Sequence, residues 1–184
     1  MDQPLSLPPA GPLSIAAGAG TDLFVDPGGG EPVLSAPRLL AAAPAGDFQL
    51  SARVTVDFAD TFDAGVVLLW AHEHAWAKLC FERSPQGEPM VVSVVTRGVS
   101  DDANAFPVEG RRVWLRVARL GPAHAFHAST DGLRWRFVRH FAMDPADGLR
   151  VGFLAQSPAG AGCTAVFDDV GYRLERLADL RSGV

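Results

Sequence analysis

The chain has 184 residues, of which 48% are hydrophobic and 20% charged, as in an ordinary soluble globular protein. This length fits one domain with a sizeable core, so we predict a single domain over residues 1–184. The formal net charge of −5 provides no basic field for a phosphate backbone, which excludes nucleic acid as an expected partner.

The first residues and the cysteine content bear on location. Residues 1–9 lack a basic region followed by an apolar one, so we expect no signal peptide. No apolar run approaches the roughly 18 residues of a transmembrane helix, and we expect no membrane contact. Cys80 and Cys163 are too few for a disulfide framework. We therefore predict a cytoplasmic protein, with a preference for Arg over Lys that is typical of a GC-rich bacterial genome. Residues 1–10 are expected to be loosely ordered.

Strand patterns dominate the chain, because apolar and polar residues alternate with a period of two. Residues 48–58 form the clearest example and predict a strand with one apolar and one exposed face. Residues 66–70 are apolar on both faces, which predicts a central strand covered on both sides. Helical periodicity is limited to a short segment at residues 175–180. The predicted strands are residues 13–17, 38–43, 48–58, 66–70, 76–82, 90–96, 112–119, 123–129, 134–141, 149–156 and 163–174.

The clearest turn lies between residues 123–129 and 134–141. Asp131-Gly132 separates these two alternating runs and predicts a hairpin, because both residues tolerate a positive φ. A break at Asp144-Pro145 precedes the next strand. So many strands leave no room for crossover helices, which predicts an all-β sandwich or barrel.

Residues 76–82 alternate strictly and carry the most informative side chains. Ala77, Leu79 and Phe81 share one face of the strand, which we assign to the core. The opposite face carries a row of an aromatic ring, a cation, a thiol and a carboxylate. These four residues are Trp76, Lys78, Cys80 and Glu82. Lys78 and Glu82 are roughly 13 Å apart along the strand, so we expect each to pair with a residue on a neighbouring strand instead.

Several motifs together resemble a known domain family of unknown function, which includes the fungal regulation-of-enolase protein and many bacterial relatives. The resembling segments are Thr21-Asp22-Leu23-Phe24-Val25-Asp26-Pro27, Asp63-Ala64-Gly65, Trp76-Ala77-Lys78 with Glu82, Val94-Val95-Thr96-Arg97-Gly98-Val99-Ser100-Asp101, Trp114-Leu115-Arg116, Ser129-Thr130-Asp131-Gly132 with Trp135, and Val151-Gly152 with Ser157-Pro158. The resemblance covers about residues 12–172. It implies a concanavalin A-like jelly roll, a sandwich of two curved antiparallel sheets. Such folds often carry carbohydrate sites on the concave sheet. Asp102 stands where the family usually has a Trp.

The resemblance suggests that the polar row faces a carbohydrate or another small polar ligand on the concave sheet. The predicted ligand-binding residues are Asp63, Trp76, Lys78, Glu82, Thr96 and Arg116. Trp76 would stack against the ligand, and Lys78 and Arg116 would bind anionic or hydroxyl oxygens. Glu82 and Asp63 would accept hydroxyl protons. The alternative is a structural network of ion pairs on an exposed sheet face.

Two further functions stay open. One is a hydrolase or lyase acting on a sugar, with Glu82 as general acid or base and Asp63 or Asp101 as a second carboxylate. The other is a protein-interaction module that regulates carbon metabolism, which the fungal relative's name suggests and which requires an exposed apolar patch.

No metal or cofactor is expected. His72 and His74 have the i, i+2 spacing of a metal-binding pair on a strand, but no other histidine falls in a signature spacing. Thr96 to Asp102 is expected to end a strand and enter a loop, which would form either a polar rim on the cleft or an ordinary turn.

Overall fold

A computed structural model describes residues 2–143 and 148–184, with side chains from residue 5 onward. The described residues form strands and turns and contain no helix. The strands are β1 (Asp2–Pro4), β2 (Leu13–Gly18), β3 (Leu23–Phe24), β4 (Val33–Leu34), β5 (Arg38–Ala42), β6 (Phe48–Val56), β7 (Ala64–His72), β8 (Ala75–Arg83), β9 (Pro89–Arg97), β10 (Val99–Pro107), β11 (Arg112–Leu120), β12 (Ala123–Ser129), β13 (Arg136–Ala142), β14 (Arg150–Gln156) and β15 (Gly162–Arg173).

The strands of this described part form two main sheets and one small ribbon. The seven-stranded sheet has the order β1-β5-β14-β7-β8-β9-β10, and the six-stranded sheet has the order β13-β12-β11-β6-β15-β2. The ribbon pairs β3 with β4. All neighbours are antiparallel except β1 and β5, which run parallel. The predicted all-β sandwich of two antiparallel sheets is confirmed.

The main core lies between the two sheets. It consists of the inward-facing side chains, which are every second residue along a strand. On β8 these are Ala77, Leu79 and Phe81, all fully buried, as the alternation predicts. Each buried aliphatic or aromatic side chain contributes about 1.5–3 kcal/mol to folding. The two sheets pack tightly at Gly65, where an added Cβ would lie 2.6 Å from Val54 Cγ1. A side chain at this position would therefore force β7 away from β6.

The outer face of the seven-stranded sheet is also covered. Residues 21–36, which we call the covering segment and which include β3 and β4, pack on it and form a second apolar cluster. Hydrogen bonds hold this segment in place, since the backbone N of Ser100 donates to Val25 O at 2.9 Å. The Val25 N–H in turn donates to Ser100 Oγ at 2.9 Å. Residues 66–70 are thus buried on both faces, as predicted.

The structure differs from the sequence predictions at two places. The expected loop at Ser100 to Asp102 is part of β10, a polar edge strand that pairs with β9. Pairing of backbone groups with a neighbour forms this strand without an apolar face of its own. The expected helix at residues 175–180 is absent, because Leu177 and Leu180 pack individually against the outer side of β11 and β12.

The remaining predictions concern the ends of strands and the front of the chain. The hairpin at Asp131-Gly132 is confirmed by the pairing of β12 with β13. The predicted break at Asp144-Pro145 lies outside the described residues. The loose order expected for residues 1–10 stays a prediction, although residues 2–4 form β1. No helix in the described ranges is long and apolar enough to cross a bilayer.

Candidate functional site

The structure separates the predicted ligand-binding residues. Trp76, Lys78, Glu82 and Thr96 lie on β8 and β9, and Asp63 directly precedes β7, so these five belong to the seven-stranded sheet. Arg116 lies on β11 of the six-stranded sheet. The whole core separates the outer faces of the two sheets. The structure therefore does not bring Arg116 together with Lys78.

A small cleft opens where the covering segment meets the outer face of the seven-stranded sheet. Its volume is about 170 Å³. The residues that line it are Asp22, Phe24, Phe62, Lys78, Glu82, Val92, Val94, Asp102 and Gln156. Two of the six predicted residues, Lys78 and Glu82, thus reach the cleft. Asp22 and Phe24 come from the covering segment, so this segment creates the cleft as well as the second apolar cluster.

Lys78 is held in one orientation at the base of the cleft. Its side chain is only 2% exposed, and its Nζ donates a hydrogen bond to Gln156 Oε1 at 2.9 Å. Asp22 Oδ1 lies 3.6 Å from the same nitrogen. The rings of Phe24 and Trp76 lie with their centroids 5.7 and 5.8 Å from Nζ. A buried ammonium with these partners is a fixed positive charge facing the cleft.

The carboxyl group of Glu82 has no fixed partner. It is partly buried, and no described residue donates a hydrogen bond to it or forms an ion pair with it. Burial raises the pKa of Glu82 to about 7, against the opposing positive charge of Lys78, while Asp22 and Asp102 raise it further. Near neutral pH the group therefore exchanges between its protonated and ionised forms.

Asp63 serves the fold instead of the cleft. Its carboxylate is fully buried and accepts hydrogen bonds from the backbone N–H groups of Ala59 at 2.9 Å and Asp60 at 2.8 Å. The hydroxyl of Ser157 donates to its other oxygen at 2.6 Å. The first two bonds close the 59–63 turn, and the third ties this turn to Ser157, the residue that follows β14. The expected contact between Asp63 and a ligand is therefore not supported by its position.

Thr96 and Trp76 are likewise covered. Thr96 is fully buried, and its Oγ1 lies 2.9 Å from Ser100 Oγ, the group that anchors the covering segment. Trp76 is fully buried in the second apolar cluster, and its indole N–H has no partner within the described structure. Trp76 thus offers no open face for stacking. The aromatic rings that line the cleft are Phe24 and Phe62.

Cys80 and the pair His72 and His74, which the sequence offered as candidate reactive groups, lie outside the cleft. Burial in apolar surroundings raises the pKa of the Cys80 thiol far above its usual range, which leaves it unreactive. His72 and His74 lie at the tip of the β7–β8 hairpin, with ring centroids 6.3 Å apart. Across the described ranges no group of three or more His, Cys, Asp or Glu side chains is placed to hold a metal ion.

Apart from Asp102, which was considered as part of a polar rim, the cleft residues that the sequence reasoning missed are Asp22, Phe24, Phe62, Val92, Val94 and Gln156. Asp22 and Gln156 lie far along the chain from Lys78, and none of the six belongs to a recognisable catalytic motif. One available signal was the placement of Asp22 and Phe24 inside the segment 21–27, which carries the family resemblance.

Fold and cleft together define a two-sheet β-sandwich with a cleft of charged and apolar side chains on the outer face of one sheet. The chain belongs to the family described as protein of unknown function DUF1349, whose model matches residues 2–174. No curated protein matches the chain.

Solved structures with the same fold come from proteins of different kinds. A functionally unknown protein from Saccharomyces cerevisiae matches with a TM-score of 0.81 at 23% identity, over 95% of both chains. A mutant of the GH43 protein BlXynB from Bacillus licheniformis matches with a TM-score of 0.75 at 14% identity, over 89% of this chain and 33% of that one. An alginate lyase from Klebsiella pneumoniae matches with a TM-score of 0.52 at 16% identity, over 70% of this chain and 60% of that one. At these identities the likeness shows the fold alone.

Proposed function

We propose that the cleft binds a carbohydrate or another small polar ligand. The observation that carries this proposal is the carboxyl group of Glu82, which has no hydrogen-bond or ion-pair partner among the described residues and lies in the same cleft as the buried ammonium of Lys78. Because Glu82 is only partly buried, its carboxyl group is available to a ligand in the cleft. A ligand hydroxyl can accept from Lys78 and either donate to or accept from Glu82, depending on the protonation state of Glu82.

The size and lining of the cleft limit the ligand. Its volume of about 170 Å³ is well below the roughly 300–1,000 Å³ of sites for drug-sized ligands. We therefore expect one sugar ring or a fragment of similar size. Phe24 and Phe62 supply apolar surface next to the charged groups, which is the combination that sugar rings require. The likeness in fold to a GH43 protein and an alginate lyase makes sugars and sugar acids the first probes.

A thermal-shift screen tests the proposal. Monosaccharides, sugar acids and sugar phosphates are added to the wild type, to Glu82→Gln and to Glu88→Gln. The control Glu88 is an exposed residue on the turn after β8. A ligand at 100 times its Kd stabilises the native state by about 2.7 kcal/mol, a rise in Tm of about 5–10 °C.

We expect at least one compound to raise the Tm of the wild type and of Glu88→Gln but not of Glu82→Gln. The proposal fails if no compound raises the Tm of the wild type, or if the rise is equally large in Glu82→Gln.

A second candidate is a sugar-active hydrolase or lyase with Glu82 as general acid or base. The observation that favours it is the pKa of about 7, since a proton-transferring group works best when its pKa is near the working pH. Asp22 and Asp102 lie in the same cleft and are the available second carboxylates. This candidate predicts turnover of an aryl glycoside or a uronate polysaccharide by the wild type, with a loss of at least 100-fold in Glu82→Gln. Binding without turnover would contradict it.

The narrower kinship with the regulation-of-enolase protein would favour a protein-interaction module. That function needs a contiguous exposed apolar patch. Among the large exposed apolar side chains of the described residues, Leu133 and Val184 line one pocket, and the others are Val33, Phe62, Val99 and Leu174. We favour ligand binding, because the cleft places Lys78 and Glu82 together. We propose the cytoplasm as its location, since Cys80 and Cys163 are both buried free thiols.

A further inference from the structure

A second, larger pocket lies on the outer face of the six-stranded sheet, away from the Glu82 cleft. Its volume is about 560 Å³. Trp114 and Arg116 of β11 form part of its floor, and Trp135 and the segment 174–184 form walls. We call this segment the closing segment. Its backbone is attached to the sheet, because His127 Nε2 lies 2.8 Å from Leu180 O and Arg116 Nη2 donates to Gly183 O.

Arg116 is a buried cation, and no carboxylate in ranges 2–143 and 148–184 pairs with it. It is only 6% exposed, and its guanidinium stacks on Trp135 with 4.0 Å between Cζ and the ring centroid. Its hydrogen bonds go to two neutral acceptors, Gln49 Oε1 at 3.4 Å and Gly183 O. Its Nε–H is buried and has no partner among the described residues. Burial lowers the pKa of Arg116 to about 10, and the positive charge of Arg173 lowers it further.

The neighbouring Arg53 shows what Arg116 lacks. The two arginines lie on adjacent strands of the same sheet, β6 and β11. Arg53 binds Asp168 with the Nε–Nη2 edge of its guanidinium, at 2.7 Å for each bond. On the Nε–Nη2 edge of Arg116, Nη2 donates to the neutral carbonyl of Gly183, and the Nε–H has no partner among the described residues. Two parallel bonds to an oxyanion are the strongest arrangement that a guanidinium makes.

The acids near the pocket are already occupied. Asp169 accepts a hydrogen bond from Trp114 Nε1 at 2.7 Å, and Glu175 pairs with Arg173 at 3.4 Å. No carboxylate within the described residues pairs with Arg116. A buried charge without a counter-ion is costly, so the site favours an anion from outside the chain.

We propose that Arg116 binds the carboxylate or phosphate group of a small molecule in this pocket. The oxyanion takes the Nε–Nη2 edge and replaces the carbonyl of Gly183, which requires the end of the closing segment to move. The site is independent of the Glu82 cleft, because it lies on the other sheet. Carboxylate and phosphate share the chemistry of an oxyanion, and separate probes distinguish them.

The test measures binding of two probes, inorganic phosphate and glucuronate, with glucose and sodium chloride at equal ionic strength as controls. Two of the four tryptophans, Trp114 and Trp135, line the pocket, so a change in tryptophan fluorescence is the first signal, and the Tm is an independent second one. The variants are Arg116→Gln, Arg116→Lys and the matched control Arg53→Gln. Arg116→Lys keeps the charge and removes the two-pronged edge, so it tests the geometry even if Arg116→Gln fails to fold.

We expect at least one oxyanion to shift both signals in the wild type, in Glu82→Gln and in Arg53→Gln, where neither glucose nor chloride does. Arg116→Gln and Arg116→Lys should bind at least tenfold more weakly. The responding probe identifies the oxyanion as a carboxylate or a phosphate.

Three results would overturn the proposal. In the first, neither oxyanion affects the wild type more than chloride does. In the second, the Arg116 variants bind as tightly as the wild type. In the third, Arg53→Gln weakens binding as much as Arg116→Lys. This result would show that binding depends on the overall positive charge of the outer face of the six-stranded sheet and not on the geometry of Arg116.

Discussion

The two outer faces of the sandwich each carry a partly or fully buried ionisable group, and the two groups have opposite charges. On the seven-stranded sheet, the covering segment buries an apolar cluster, and the carboxyl group of Glu82 has no partner among the described residues. On the six-stranded sheet, the guanidinium of Arg116 beneath the closing segment has no counter-ion in the same described part of the chain. Burial favours the neutral form of both groups, because it raises the pKa of Glu82 and lowers the pKa of Arg116. The comparison indicates that each face presents a group whose charge a ligand can satisfy.

Each unsatisfied group has a satisfied counterpart on its own sheet. Asp63 accepts three hydrogen bonds from the protein, whereas Glu82 accepts none from the described residues. Arg53 has a bidentate carboxylate, whereas Arg116 has only neutral acceptors. We therefore assign structural roles to Asp63 and Arg53, and we propose ligand-binding roles for Glu82 and Arg116. The predictions below test this division, from the largest effect to the smallest.

The largest effect is expected for Asp63→Ala. The change removes a buried carboxylate and leaves the N–H groups of Ala59 and Asp60 without an acceptor, so the free energy of unfolding should fall by about 3 kcal/mol or more. Urea denaturation followed by circular dichroism measures this loss. The control is Asp101→Ala, an exposed partner of Arg139, which should lose less than about 1 kcal/mol. Equal losses in the two variants would contradict a structural role for Asp63.

A pH titration of stability separates Glu82 from Asp63. The pKa of Glu82 is about 7 in the folded state and 4.5 for an unperturbed Glu, so the folded state holds the proton more tightly than the unfolded state does. The stability contributed by this proton is complete below pH 4.5 and is lost as the pH rises to about 7. We expect a loss of about 2 kcal/mol, below the full shift because Glu82 is partly exposed.

The same titration of Glu82→Gln supplies the control. Glutamine does not ionise, so the decline in stability over this pH range should be absent from the variant. An identical decline in both proteins would show that another group causes it.

The opposite face should respond to pH with the opposite sign. Burial lowers the pKa of His127 from 6.5 to about 4, so the unfolded state binds a proton first as the pH falls. Stability should therefore decrease by up to about 2 kcal/mol between pH 6.5 and pH 4. His124 behaves alike, since its pKa is also lowered to about 4. The measurement is urea denaturation of the wild type and of His127→Gln across this range. A loss in the variant as steep as in the wild type would rule out His127 as a contributor.

The smallest change in stability, about 1 kcal/mol, is expected for Lys78→Met, which removes one hydrogen bond to Gln156 and the ion pair with Asp22. Its main effect is electrostatic. The charge of Lys78 lowers the pKa of Glu82, so the variant should raise that pKa above about 7. Carbon-13 NMR of the labelled Glu82 carboxyl measures it, with exposed Arg97→Met as the matched control. An unchanged pKa in Lys78→Met would show that the two groups are not electrostatically coupled.

The alternation of apolar and polar residues along the sequence was sufficient to predict most of the strands. β12 was expected at residues 123–129 and is found there, and the two faces of β8 are divided as the alternation indicates. A period of two reports directly which side chains face the core. β10 was missed, because a polar edge strand shows no such period. The short helix expected at residues 175–180 failed for a related reason, since Leu177 and Leu180 are buried by contact with distant strands.

The sequence by itself determined the fold class and the row that holds Lys78 and Glu82 on one face of β8. Only the tertiary structure decided which members of that row are open, because the covering segment buries Trp76 and Cys80 and supplies Asp22 to the cleft. It also decided that Arg116 lies on the other sheet. The alternation shows on which side of its own strand a residue lies. Contacts between distant parts of the chain determine which sheet the strand joins and which segment covers that sheet.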